Sequence, residues 1–113
     1  MAGIIDPAQA FALSELLAMP HQGIASRVLA KTPGGNVTLF AFDTGEGLSE
    51  HTAPFDALVL VLEGSLALVI GGRAVTAAAG TIVRLPAHVP HAVDAQAPAR
   101  MLLIMLREPT PVP

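Results

Sequence analysis

The sequence predicts an all-β domain of the sandwich or barrel type, on three observations. Eight or nine short apolar runs follow one another with turn signals between them, spaced about every 8–12 residues, as in sandwiches and barrels. The only helix-like pattern lies within the first twenty residues. And 113 residues make one domain, long enough to bury a core.

Taken in order, Asp6-Pro7-Ala8-Gln9 reads as a helix start, with Asp as cap, Pro in the first turn and Gln reaching back. Pro20 cannot continue a helix, so the element is short and ends by Met19-Pro20. Residues 23–31 and 36–43 then flank Thr32-Pro33-Gly34-Gly35, a hairpin connection. Residues 55–62 and 65–70 join tightly at Glu63-Gly64. Gly71-Gly72 is a two-residue turn whose positions both tolerate positive φ, leading into 73–77. Strands at 81–86, 91–95 and 100–106 complete the set. The chain divides into a flanking segment with the first strand (1–35), a barrel (36–106) and a proline-rich tail (107–113) expected to be extended.

Composition removes several function classes. Net charge is −3 with Lys and Arg scattered singly, and Tyr and Trp are absent, so neither a phosphate-binding patch nor a base-stacking surface is expected: no nucleic acid. The lack of Cys excludes disulfides, thiol catalysis and thiolate–metal sites. Mean hydropathy is high at +0.60, yet Gly, Pro, Asp, Glu and Arg interrupt every apolar run before the roughly 18 residues a membrane helix needs. No membrane is expected. The start of the chain lacks a basic region before an apolar one and carries Asp6, so a cytoplasmic location is the expectation. Residues 57–62 and 101–106 are apolar without alternation, so both faces of those strands must be covered. A homodimer is therefore expected.

Two motifs carry chemistry. Gly45, His51 and Gly64 match the spacing G-x5-H-x-H-x3-E-x6-G. Gly80, Pro86 and His91 match G-x5-P-x-G-x2-H-x3-N. The paired pattern resembles that of the cupin family over roughly residues 36–106, which implies a small jelly-roll β-barrel. Metal-binding members use three histidines and a glutamate that project inward from facing strands. On that resemblance His51 and His91 occupy ligand positions, while Ala53 and Ala57 stand where a histidine and the glutamate would be. His88 replaces the second motif's inner glycine and Ala95 its closing asparagine. His tolerates a left-handed backbone better than most residues. As substitutes for the missing ligands, Glu50 points away from His51 by alternation, whereas Asp56, after the Pro54-Phe55 bend, is a candidate to reach inward or to cap backbone N–H groups.

The expected function is binding of a small molecule in a roomy apolar pocket with His51 and His91 as its polar groups, and without a full metal centre. Phe40, Phe42, Val59, Val61 and Met101 are the candidate walls, with strand parity open; Met105 shares the face of Met101 and Leu103. The alternative is a metal-dependent enzyme of dioxygenase or isomerase type, holding zinc, manganese, iron or nickel through His51, His91 and either His88 or Asp56. Metal-free acid–base catalysis by the histidine pair is a third reading.

Overall fold

A computed structural model describes residues 3–108. After a single helical turn, α1 (Leu13–Leu16), nine strands follow: β1 (Ile24–Thr32), β2 (Gly35–Phe42), β3 (Gly47–His51), β4 (Asp56–Glu63), β5 (Ser65–Ile70), β6 (Arg73–Ala78), β7 (Ile82–Leu85), β8 (His91–Asp94) and β9 (Ala99–Leu106). Two antiparallel sheets face each other: a five-stranded one in the order β1-β2-β9-β4-β7 and a four-stranded one in the order β3-β8-β5-β6. The sheets are not closed into one hydrogen-bonded barrel; the architecture is the two-layered jelly roll.

Alternation decides what fills the space between the sheets. In the larger sheet Phe42, Val59, Val61, Met101 and Leu103 turn inward, against Leu66, Leu68, Val93 and Ala95 of the smaller sheet and its flanking loop. Phe42, Val59, Val61 and Met101 are completely buried. The parity left open by the sequence is thus settled, and Met105 packs against the same core. Gly71 and Gly72 both have positive φ, 57° and 80°, and form the predicted two-residue turn between β5 and β6.

Two local readings need correction. The short helix does not start at Asp6: Ala8 has φ 60°, a left-handed conformation incompatible with a helix, and the turn begins only after Ala12. β3 was not among the expected strands, because Gly47-Leu48-Ser49-Glu50-His51 lacks an apolar run. It is an edge strand whose outer positions face solvent, and its pairing with β8 rather than its own composition makes it a strand.

The segment before β1 covers part of the outer face of the larger sheet, around Arg27 and Arg100. Arg27 Nε donates to the Gly3 carbonyl at 2.8 Å and its Nη1 to the Leu16 carbonyl at 3.0 Å. Arg100 Nη2 donates to the Leu17 carbonyl at 3.2 Å, while its Nη1 pairs with Glu63. Leu39 and Ala41 lie opposite these arginines on that outer face and are completely buried. β1 itself pairs with β2 along its length, so the flanking segment's strand is part of the sheet. Of the expected proline-rich tail, residues 109–113 lie outside the described residues.

Candidate functional site

Antiparallel pairing brings the two motifs together. His51 ends β3 and His91 opens β8, and the two are register partners at one end of the smaller sheet. His91 is buried, 6% exposed, because its position continues the inward face of Val93. His51 is exposed. Their Nε2 atoms lie 3.1 Å apart, with the rings edge to face at a centroid distance of 4.4 Å.

The other ring nitrogens fix the chemistry. His51 Nδ1 lies 2.8 Å from the Ser49 carbonyl and His91 Nδ1 lies 3.1 Å from the Val89 carbonyl. A carbonyl only accepts, so both Nδ1 atoms donate. In the neutral rings both Nε2 atoms then carry lone pairs, directed at each other. Such a pair is satisfied only when something electropositive lies between: a shared proton, a ligand's O–H or N–H, or a cation. Burial pushes the His91 imidazole below its ordinary value; the Val89 carbonyl opposes this and His51 adds to it.

The positions around the pair are occupied by methyl groups or by side chains committed elsewhere. Ala57 is buried in the core, facing Leu85 on β7 and Met105 on β9. Ala53 lies in the β3–β4 loop, where its carbonyl accepts the His88 N–H at 2.8 Å. Asp56 accepts from Arg84 Nη1 through Oδ2 at 2.9 Å and from the Ala87 N–H through Oδ1 at 2.8 Å. It ties the β7–β8 loop to the start of β4. His88 adopts φ 65° at the position of the motif's glycine, the left-handed geometry that His tolerates. Its side chain is exposed and lines a different cavity. Among the described residues no three His, Asp or Glu side chains converge on a point. The donor set of the family's four-ligand metal centre does not fit this chain: two imidazoles remain, beside two alanines.

The candidate pocket walls are likewise placed. Phe42, Val59 and Met101 lie within the packed core, and Phe40 stacks on Phe42 at 5.9 Å at its margin. None of them lines the cavity of about 600 Å³ that opens beside Phe55, Asp56, Ala87, His88 and Arg107. Sequence reasoning missed Phe55 and Arg107, because nothing local signals that a loop aromatic and a strand-end cation will meet. It also missed the Ser49 and Val89 carbonyls, each two residues before its histidine.

A cupin-domain family model matches residues 38–105, more than half of the chain. The chain belongs to the cupin family. A cupin-domain protein of known structure from Leptotrichia buccalis is 36% identical over 86% of this chain, with a TM-score of 0.82; the chain spans 47% of that protein. A conserved protein of unknown function from Streptococcus pyogenes is 28% identical, with 97% of this chain and 98% of that one covered and a TM-score of 0.88. A cupin superfamily protein from Desulfitobacterium hafniense, 24% identical over 96% of this chain and 99% of that one at a TM-score of 0.86, shares the fold. No curated protein matches the chain. No helix among the described residues is long and apolar enough to cross a membrane.

Proposed function

We propose that this cupin is a small-molecule-binding module that works without a resident metal, and that its His51–His91 pair takes a hydroxyl or ammonium donor of the ligand. The observation that carries the reading is the convergence of two Nε2 atoms at 3.1 Å, each on a ring whose Nδ1 is committed to a carbonyl. A filled core supports a ligand held at the end of the sheets rather than deep between them. The module is a homodimer, a reading supported by the apolar outer positions of β4 and β9: Leu58, Leu60, Leu62, Leu102 and Ile104.

The same two convergent donors favour one alternative, a metal-dependent enzyme of dioxygenase or isomerase type that recruits His88 or Asp56 as a third ligand. One experiment separates the readings. Metal-loaded protein is dialysed and its metal content measured, while polyols, hydroxy acids and amines are screened against the apo form by thermal shift. The binding module retains no stoichiometric metal, and a donor-bearing ligand raises Tm by an amount that His51→Ala and His91→Ala each reduce. About one retained metal per chain, lost in both variants, would establish the alternative.

A further inference from the structure

The cavity beside the β3–β4 and β7–β8 loops faces away from the core. Ala57 and Met105 point inward, so their neighbours Asp56 and Leu106, which are register partners, point outward. The cavity of about 600 Å³ is built on this outer side, a size within the usual range of roughly 300–1,000 Å³ for small-molecule sites. Four pieces of chain meet there: the β1–β2 turn at Gly34, the β3–β4 loop, the β7–β8 loop, and the end of β9, which the Arg107 N–H fastens to the Gly34 carbonyl at 2.8 Å.

We propose that this cavity is a ligand site separate from the histidine pair, and that it takes a small molecule with a carboxylate on a flat apolar body. Pro54, Phe55, Ala87 and Leu106 supply apolar wall, and Leu106 is an exposed large apolar side chain at 48%. The cation is held ready: the Arg107 guanidinium lies over the Phe55 ring, 5.0 Å from its centroid. Stacking leaves the N–H edges of a guanidinium free to grip a carboxylate in two parallel bonds. Among the described residues Arg107 has no ion-pair partner, whereas Arg84 is paired with Asp56. That pairing largely cancels the Asp56 charge. The His88 ring, displayed on the same wall, offers a further hydrogen bond. Glu108 opposes an anion and is the one lining charge left to do so. A single unpaired guanidinium beside that carboxylate suits a monoanion better than a doubly charged phosphate.

Benzoate is the test probe, with benzamide and benzylammonium as comparators of the same shape. Each is titrated into the isotope-labelled full chain, and the backbone amide signals are followed. The expected result is saturable benzoate binding with shifts at Phe55, Ala87 and Arg107. Arg107→Met weakens it at least about tenfold by removing a charge-assisted pair, while Glu108→Gln tightens it about two- to threefold by removing repulsion. These opposite signs distinguish recognition from a folding defect. Any of four outcomes overturns the proposal: no saturation at millimolar benzoate, equal binding of benzamide, preference for benzylammonium, or benzoate affinity indifferent to Arg107→Met. Shifts confined to His51 and His91 overturn it as well, by placing the probe at the other site.

Discussion

His91 shows how far a single residue's chemistry depends on where it is buried. Its pKa is depressed in the folded protein, first by burial, so the folded state resists the proton that the unfolded chain accepts near 6.5. Its contribution to stability is therefore complete above pH 6.5 and is lost as pH falls through the folded-state value. Urea midpoints measured from pH 7.5 downward fall below pH 6.5, and His91→Gln flattens that fall; an equal decline in the variant would refute the assignment. Ala57 makes the converse point. The resemblance puts a ligand position there, but the site holds only a methyl group against Leu85 and Met105. Ala57→Glu buries a carboxylate and overfills the core, costing at least about 2 kcal/mol. With Ala53→His added, zinc restores part of the lost Tm if the backbone retains the family's ligand geometry. Loss of Tm without zinc rescue would mean that the loop carrying Ala53 has moved away.

At the level of elements, the eight strands expected from the sequence all form, and β3 is the strand that was not legible. The β5–β6 hairpin follows from Gly71-Gly72 and two alternating strands, all of it local. β3 is strand only because β8 pairs with it, and Asp56 serves the β7–β8 loop only because β4 lies next to β7. The covering segment before β1 is likewise a long-range construction, held at its carbonyls by Arg27 and Arg100. Replacing both arginines by Ala removes these bonds and costs about 1–3 kcal/mol. Hydrogen exchange then accelerates at the Ile5 N–H, which donates to the Leu29 carbonyl at 3.0 Å, and at the covered strand β2. Unchanged protection of β2 would show that apolar packing alone holds the segment.

The whole molecule keeps apolar residues on both faces of its larger sheet. The inner set forms the core. On the outer side the segment before β1 covers Leu39 and Ala41, while Ile82 remains 58% exposed beside the half-buried Leu60. Among the described residues no second layer covers Ile82 and its neighbours on that side, which is the physical ground for proposing a dimer. Leu60→Glu places a charge among Leu102, Ile82 and their neighbours without touching the core. In sedimentation it converts a species of twice the 11.6 kDa chain mass into a monomer that still unfolds cooperatively. A wild-type chain that already sediments as a monomer would remove the dimer from the proposal.

By itself the sequence determined the class of fold, the hairpin turns and the pairing of two motifs, because alternation, turn chemistry and spacing are local and act the same in any surroundings. It also placed Ala53 and Ala57 where the cupin resemblance implies metal ligands. Tertiary structure alone decided that His51 and His91 point their Nε2 atoms at each other, that Asp56 is tied to Arg84 and the β7–β8 loop, and that Phe42, Val59 and Met101 fill the core. It also decided that Arg107 meets Phe55 at the outer cavity. Each of those facts joins residues distant in sequence, and such contacts depend on register and strand order, which no short stretch of chain specifies.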